Sequence, residues 1–401
     1  MAKVINFVLA SNNASSITRL TAEYANALAD KGVQICISYP VFSYWDYFIW
    51  RVEREANFLP FLLNSVYRFL KFWRYMAIPA VKMAIKSKGL YWQGSVIHKM
   101  NQRVKMNRFW VLPSARNMPA ADVMIVMQNY LIPRLLFLPA NKGRIIGSIH
   151  MDYQEMLKDR DETSRDWWKQ FLFIDQQLHV PRFAVSEAAK KSAEALGISV
   201  DCVINNGINP SEFNNTGRSN QDTIPLRVML FCALLFEKGQ DFGCEVVREL
   251  KRIYDGKQVK FVSIGQVKDE YKNIFDENLG YLHGNDYISA YQRANIFIYP
   301  SLRDGFPAPP LEALACGCAL ATTAVQGVVE YGVSGKNCLM AEPNDVGGMV
   351  ENVQQLIEEP FLRESLRREG LETVKKFTWE GCAKRLIDFI NIVERDKRNT
   401  A

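Results

Sequence analysis

Short apolar runs alternate with stretches of helical apolar spacing along most of this chain, a pattern typical of strands alternating with helices. The first run covers residues 3–9, and helical spacing follows from about 17 to 31, where Gly32 ends the helix. Further strands are predicted at 33–38, 123–127, 144–149, 182–185, 200–204, 227–231, 258–264, 295–299 and 318–321. Further helices are predicted at about 239–254, 310–316, 344–358, 361–376 and 379–395. Such alternation predicts parallel sheets.

A segment of different amino-acid composition divides the chain into two such regions. Residues 205–225 hold six Asn, two Gly and two Pro and few apolar residues, which is a linker composition. We therefore predict an α/β protein with two facing, doubly wound, Rossmann-like domains and a central cleft. The predicted bounds are 1–206 for the N-terminal domain, 207–223 for the linker, 224–378 for the C-terminal domain and 379–401 for a terminal helix. Ligands bind at the carboxyl ends of the strands in such sheets.

Composition agrees with a folded globular protein. The chain has 401 residues, of which 48% are hydrophobic and 23% charged, and this excludes wholesale disorder. No run of about 18 apolar residues predicts a membrane-spanning helix, and the N-terminus is typical of a first strand rather than of a signal peptide. Most of the eight cysteines lie singly in apolar segments, and the spacing of Cys316 and Cys318 does not suit zinc. We expect reduced, buried thiols and a cytoplasmic protein.

Charge is concentrated in residues 41–118, which carry a net charge of +10 within a chain of net charge +6. The same segment holds 17 of the 47 aromatic residues. An arc of about 120° on a helical projection contains Arg68, Lys71, Arg74, Lys82 and Lys86. An anionic membrane surface suits such a basic, aromatic-rich helix. Two alternatives are packing of the aromatics within their own domain and binding of nucleic acid, and of these three we expect no nucleic acid partner.

The most informative stretch runs from Tyr299 to Glu330 and reads YPSLRDGFPAPPLEALACGCALATTAVQGVVE. A strand ends at Tyr299, a loop with Gly and Pro follows, and a helix begins near Leu311. Loop amides and a helix N-terminus can hold a diphosphate. Asp304 and Glu312 would be unfavourable beside phosphate unless they bind hydroxyl groups. The stretch therefore suggests a ligand with both phosphate and polyol, such as a nucleotide sugar.

This stretch resembles the donor-site signature of retaining glycosyltransferase family 4, in which an acidic residue, seven others and a Glu precede an Ala-Met-Ala-Cys-Gly-like helix. The segment VSEAAKKSAEALGISVDCVINNGINPSEF is similar to that family's Ser-Glu helix and its Asn-Gly-Val-Asp turn. FCALLFEKGQDF resembles the strand and loop that bring a Lys to the donor phosphates, and VSIGQ resembles a Val-Gly-x-Gly turn. The resemblance implies the GT-B fold, with a last helix that crosses back to the N-terminal domain.

The resemblance also implies roles for individual residues. Glu312 would hold the ribose hydroxyls, Asp304 would face the sugar, and Lys238 would neutralise charge on the leaving diphosphate. His150 would meet the donor sugar from the N-terminal domain. Asn12 and Asn13, in the loop that opens the first helix, would border the acceptor site. The remaining donor-site residues implied are Gly305, Phe306, Ala308, Leu311, Gly265 and Arg303.

Three positions depart from the family's pattern. Ala233 stands where the family has an Arg five residues before the Lys, so that one of two phosphate-binding cations is missing, and Arg303 is the nearest replacement in sequence. The first acid is Asp304 rather than Glu, which shortens its reach by one methylene. The first loop contains Asn12 and Asn13 where the family has glycines, although Asn tolerates positive φ.

Other chemistries find little support. Asp159-Arg160-Asp161 matches a metal-binding Asp-x-Asp pattern, but it lies in a charged run and is predicted to be solvated. No other cluster has metal-ligand spacing, so we expect no metal and no cofactor beyond the nucleotide sugar as co-substrate. No nucleophile elbow, Walker loop or complete dinucleotide motif follows the first strand. Hydrolase, kinase and dehydrogenase activities are therefore not indicated.

The sequence thus predicts a metal-independent, retaining hexosyltransferase. It would use a nucleoside-diphosphate sugar and a hydroxyl acceptor, such as a lipid-linked or polysaccharide glycan at the cytoplasmic membrane surface. Two rivals remain. One is another GT-B enzyme, such as a nucleotide-sugar epimerase or a phosphorylase. The other is a catalytically weakened protein that binds a sugar nucleotide or a partner, which Ala233 and Asp304 motivate. The identities of the base, the sugar and the acceptor stay open.

Overall fold

A computed structural model describes residues 4–9, 16–40, 100–109, 116–158, 162–216, 224–254 and 259–400. Their contacts form two units, one of residues 1–148 with 390–401 and the other of residues 149–389. The predicted domain bounds at 206, 223 and 378 stay predictions. Asn12 and Asn13, the predicted helix at 68–86 and the Asp159–Asp161 pattern lie outside the described residues.

The first unit contains a parallel sheet whose strands are apolar and mostly buried. In its described part the strand order is β3-β2-β1-β4-β5, and β1 lies between β2 and β4 with Ile5 beside both Ile35 and Val123. Helix α1 packs on β2, and Ser38 Oγ donates a buried hydrogen bond of 2.9 Å to Asn6 Oδ1. The elements are β1 (Val4–Val8), α1 (Ser16–Asp30), β2 (Gln34–Pro40), β3 (Val104–Phe109), β4 (Val123–Val126), α2 (Ile132–Leu135) and β5 (Arg144–Ile149).

The second unit begins with a shorter parallel pair of strands and its helices. Ser186 caps the helix that follows the first of these strands, because its side chain accepts a hydrogen bond from the amide of Ala189. These elements are α3 (Tyr153–Met156), α4 (Glu162–Asp175), β6 (Arg182–Ala184), α5 (Glu187–Glu194) and β7 (Cys202–Val203). In this pair Phe183 of β6 lies beside Cys202 of β7.

A second parallel sheet forms the rest of this unit, and its described strand order is β10-β9-β8-β11-β12-β13. Its elements are β8 (Leu226–Cys232), α6 (Gln240–Tyr254), β9 (Val259–Gly265), β10 (Glu277–Asn278), α7 (Gly284–Arg293), β11 (Ile296–Tyr299), α8 (Ala308–Ala315), β12 (Ala319–Thr323), β13 (Leu339–Ala341), α9 (Val346–Glu358), α10 (Pro360–Val374) and α11 (Trp379–Thr400). The division between the two units falls within α11, between residues 389 and 390.

The strand order explains where a ligand can bind in the second unit. Along the chain the strands β8, β9 and β10 proceed to one side, and β11, β12 and β13 proceed to the other. The direction therefore reverses between the neighbouring strands β8 and β11, and such a switch point leaves a crevice outside the carboxyl ends of the strands. The core beneath it is apolar, with Val228, Leu230, Ile296 and Ile298 at most 1% exposed. These side chains fix both strand ends and hence the loops that follow.

The predicted fold class, two doubly wound parallel-sheet domains, is confirmed. Most predicted elements lie within two residues of the observed ones. The pattern missed β3, whose Lys105 and Arg108 obscure the apolar period, and its position at the edge of the described part of the sheet explains why it tolerates charge. It also missed the helices α4 and α7 and the short edge strands β10 and β13.

Candidate donor site

The loop that leaves β11 is held against the loop that leaves β8. The single hydroxyl proton of Ser301 lies within donating reach of the carbonyls of both Glu237 and Arg303, each 3.0 Å from Oγ, and the amide of Leu302 donates to the carbonyl of Glu237 at 2.8 Å. Since Ser301 is fully buried, these bonds have no competing solvent. The two loops at the switch point therefore form one rigid surface.

Glycine makes this contact possible. Lys238 ends a single 3₁₀ turn, and Gly239 follows it with φ +64°. A Cβ at position 239 would lie 1.9 Å from the carbonyl oxygen of Pro300. Only glycine combines this positive φ with so close an approach. The sequence Lys-Gly thus places the ammonium of Lys238 over the loop of Asp304.

Asp304 and Lys238 form an ion pair. Lys238 Nζ lies 2.5 Å from Asp304 Oδ2, and the hydroxyl of Tyr299 donates to the same oxygen at 2.7 Å. The side chains of Lys238 and Asp304 are 24% and 15% exposed, so a ligand can reach both. Burial, together with the charge of Asp304, holds the pKa of Tyr299 well above its usual range. The phenol therefore remains a hydrogen-bond donor at ordinary pH.

Glu312 is the fifth of the eight residues of α8 and is 1% exposed. Its Oε2 accepts a hydrogen bond of 2.8 Å from the hydroxyl of Tyr287, which is also 2.9 Å from the hydroxyl of Tyr291. Both tyrosines belong to α7, and their rings meet edge to face at 5.0 Å. The carboxylate of Glu312 is therefore fixed in direction before any ligand arrives.

The backbone between the two acids carries four of the predicted donor residues, Gly305, Phe306, Ala308 and Leu311. Phe306 packs against Tyr331, whose hydroxyl donates to the carbonyl of Pro307 at 2.9 Å. Leu311 is buried in the helix. Ala308 is the first residue of α8. The side chains of Phe306 and Leu311 thus belong to the core, and these positions can serve a ligand mainly through their amides.

His150 lies at the end of β5 and contacts this backbone. A Cβ at Gly305 would lie 2.2 Å from the carbonyl oxygen of His150, so glycine is required there too. Burial lowers the pKa of His150 to about 4, which keeps its imidazole neutral near pH 7. The guanidinium of Arg303 donates to the carbonyl of Glu155 at 2.9 Å. This bond ties the donor loop to α3, and it engages the side chain that the sequence suggested as a replacement cation.

The turn after β9 adjoins the loop after β8. Gly265 has φ +95°, and a Cβ there would lie 2.1 Å from the carbonyl oxygen of Cys232. The side chain of Gln240 links the two turns. Its Nε2 donates to the backbone carbonyl of Gln266 at 2.7 Å, and its Oε1 accepts from the backbone amide of Lys268 at 2.9 Å. Within this rigid frame, Leu234, Leu235 and Phe236 are half-exposed or more.

Three residues of this site were missed at the sequence level: Tyr299, Tyr287 and Gln240. The sequence could have indicated Tyr299 as a site residue, because it is the last residue of a buried strand directly before the loop that contains Asp304. The other two had none, since their partners lie 25 to 28 residues away along the chain. Such contacts follow from strand order rather than from local spacing.

Metal and thiol chemistry show no organised site in the described part of the chain. No three or more His, Cys, Asp or Glu side chains there are grouped to hold a metal ion. All eight cysteines are free thiols, and only Cys202 is more than slightly exposed. Among the described residues, no helix has the length and apolar character that crossing a bilayer requires.

Comparison with known proteins agrees with this geometry. Residues 226–359 match the family model described as glycosyl transferases group 1. An uncharacterized glycosyltransferase of Methanocaldococcus jannaschii is 30% identical over 184 residues, which cover 45% of this chain and 50% of that protein. The O-antigen chain mannosyltransferase B of Escherichia coli is 36% identical over 110 residues, 27% of this chain and 28% of that protein. The chain thus spans half or less of the length of these relatives.

The fold as a whole has a solved counterpart. The crystal structure of Anabaena HepE in complex with UDP-glucose aligns with a TM-score of 0.66 at 11% identity, over 98% of this chain and all of that one. The resemblance to glycosyltransferases of the GT-B fold is therefore confirmed.

Proposed function

We propose that this chain, as a relative of the GT-B glycosyltransferases, transfers a hexosyl group from a nucleoside-diphosphate sugar to a hydroxyl acceptor with retention at the anomeric carbon. The observation that carries the proposal is the ion pair of Lys238 and Asp304 at the switch point between β8 and β11. It joins a cation for phosphate to a carboxylate for hydroxyl groups, within reach of a ligand.

Lys238 would stabilise the leaving group. As the glycosidic bond breaks, negative charge grows on the diphosphate, and a positioned ammonium lowers the energy of that state more than the energy of the bound substrate. Before the donor binds, the ammonium is neutralised by Asp304 at 2.5 Å. A diphosphate carries more charge than one carboxylate and would replace it as the partner of Lys238. This role needs no metal ion, and we expect transfer to continue in EDTA.

The two carboxylates would recognise hydroxyl groups. Asp304 would face the sugar, and Glu312, which is fixed by Tyr287, would accept hydrogen bonds from the ribose. Hydrogen bonds to a charged group are worth about 1.5–3 kcal/mol each. Gly265 and the amides near Gly305, Ala308 and Leu311 would complete the donor site. His150, held neutral by burial, would meet the sugar without adding positive charge.

We propose that retention does not use Asp304 as a nucleophile. A carboxylate that binds both Lys238 and Tyr299 is a weak nucleophile, because its charge is already shared. We therefore propose a dissociative, oxocarbenium-like transition state that depends on the stabilised diphosphate. The acceptor hydroxyl would enter from the face that the diphosphate leaves, and its proton would pass to the departing diphosphate as the new glycosidic bond forms.

The acceptor would be a polysaccharide or a lipid-linked glycan at the cytoplasmic membrane surface. The similarity to an O-antigen chain mannosyltransferase supports a glycan acceptor. The charge of +10 and the aromatic content of residues 41–118 support attraction to an anionic surface. Asn12 and Asn13 would border the acceptor.

Thermal unfolding with UDP-, GDP-, dTDP- and ADP-sugars, with and without EDTA, tests the donor site. A ligand that binds only the folded state raises Tm by mass action. We expect one nucleotide to raise Tm in EDTA and the shift to disappear in Glu312→Ala. Glu358→Ala is the matched control, because Glu358 also accepts from a tyrosine hydroxyl, at 2.6 Å from Tyr254. Absence of any shift at millimolar ligand would contradict the proposal.

A second candidate is a nucleotide-sugar-binding subunit with little activity. Two observations favour it: Ala233 replaces an expected cation, and the guanidinium of Arg303 is bound to the carbonyl of Glu155. The variant Ala233→Arg separates the candidates. Activity that appears only in this variant would favour the weakened subunit. Activity in the natural chain that the added Arg reduces would favour a catalytic site adapted to Ala233.

A further inference from the structure

Tyrosine hydroxyls hold both acids of the candidate donor site. Tyr299 donates to Asp304 at 2.7 Å, and Tyr287 donates to Glu312 at 2.8 Å. A comparable bond of 2.6 Å joins Tyr254 to Glu358 on the helices α6 and α9, whereas the donor site lies in the loops after β8 and β11. The first of these pairs differs from the others, because the accepting oxygen also binds Lys238.

Tyr299 is held in place by the sheet rather than by the loop. It is the last residue of β11 and is 1% exposed, and its ring packs against Phe231 of β8 at 5.4 Å. The ring is therefore held by the sheet, while its hydroxyl reaches Asp304 in the loop. Since burial keeps the phenol protonated, the hydroxyl donates and never repels the carboxylate.

One atom receives both bonds. Asp304 Oδ2 accepts from the hydroxyl of Tyr299 and from the ammonium of Lys238, so neither contact involves Oδ1. When a diphosphate draws the ammonium away, the hydroxyl bond is the one that remains on Oδ2. The rotation of the carboxylate then depends on this bond.

We propose that Tyr299 is a positioning residue that fixes Asp304 through Oδ2 and directs Oδ1 toward the donor while Lys238 moves to the diphosphate. This inference rests on the proposed function. Without the hydroxyl, Asp304 would follow Lys238 or rotate, and the carboxylate would spend less time in its productive direction. The effect belongs to turnover rather than to binding of the nucleotide.

Tyr299→Phe is the direct test, because it deletes one oxygen and keeps the ring that packs on Phe231. We expect kcat to fall about tenfold, with KM for the donor and the affinity for the free nucleoside diphosphate within about twofold of the natural chain. Tyr254→Phe is the matched control and should leave both constants unchanged. Urea unfolding of the two variants shows whether they lose similar stability, which separates a site effect from a folding effect.

A double-mutant cycle shows whether Tyr299 acts through Asp304. We expect Tyr299→Phe to cost less than twofold in kcat once Asp304→Ala is present. A further tenfold loss in that background would overturn the proposal, as would an unchanged kcat in Tyr299→Phe alone. In either case an active natural chain would leave the proposed function intact. A natural chain with neither transfer nor nucleotide binding would remove the proposed function, and this inference with it.

Discussion

The two acids of the candidate donor site differ in their surroundings, and the difference suggests that they serve different steps. Asp304 is 15% exposed and pairs with a cation that is itself accessible, whereas Glu312 is 1% exposed and is fixed by a tyrosine within a helix. A partly exposed ion pair can exchange partners at lower cost than a buried one, because water and ligand can reach both charges. A buried carboxylate with a fixed donor cannot. Asp304 thus suits the step in which negative charge grows on the leaving diphosphate. Glu312 suits recognition of the ribose hydroxyls, which do not change during the reaction.

The largest effect expected from this comparison is that of Lys238→Met. Removing one group that stabilises charge in the transition state costs about 10²–10³ in rate. We expect kcat to fall by at least about 100-fold in a product-release assay with saturating donor. Lys272→Met, which breaks the exposed pair with Asp269, is the control and should leave kcat unchanged. A loss of kcat of less than fivefold in Lys238→Met would contradict the role of Lys238 in stabilising the charge on the leaving diphosphate.

The next effect is expected at Glu312. Glu312→Gln keeps the shape and an acceptor for Tyr287 but loses the charge, so hydroxyl groups of the nucleotide bind more weakly. Calorimetry should show an affinity for the nucleoside diphosphate reduced about tenfold, with kcat at saturation changed less than threefold. Glu358→Gln serves as control. If kcat fell while affinity stayed constant, the two acids would have exchanged roles.

His150 provides a neutral counterpart to both acids. Its folded pKa of about 4 lies below the usual 6.5, so the unfolded chain takes up a proton first as the pH falls. The stability linked to the neutral imidazole is therefore present above pH 6.5 and is lost progressively between pH 6.5 and 4. Urea unfolding should show that loss of this contribution lowers the free energy of unfolding by about 2 kcal/mol between pH 7 and pH 5. His150→Gln should abolish it, and the exposed His283→Gln should not. Parallel curves for the natural chain and His150→Gln would contradict the assignment.

Tyr287→Phe should give the smallest effect. The hydroxyl directs Glu312 without meeting a changing charge, and one neutral hydrogen bond contributes about 0.5–1.5 kcal/mol. We expect KM for the donor to rise about threefold and kcat to stay constant. An effect on kcat equal to that of Tyr299→Phe would mean that both tyrosines serve the same step.

The sequence was most informative where chemistry and local spacing coincide. Lys238-Gly239 and Asp304 are predictable, because each follows a buried strand that the apolar pattern marks. Their direct pairing depends on β8 and β11 being neighbours, and the order of strands follows from packing over long distances. Gln240 shows the limit most clearly, since its side chain joins two turns that only the fold brings together.

The glycine contacts have a consequence for redesign of donor specificity. In a saturation library, no substitution of Gly239 or Gly305 would be tolerated, whatever donor sugar is used for selection. Any side chain would place its Cβ about 2 Å from a carbonyl oxygen. The adjacent Leu234, Leu235 and Phe236 are half-exposed or more and meet no such barrier. The loop after β8 therefore ends in a glycine that cannot be replaced, whereas the residues before it can be substituted. Diversity placed between Ala233 and Lys238 changes the rim of the site and leaves its frame intact.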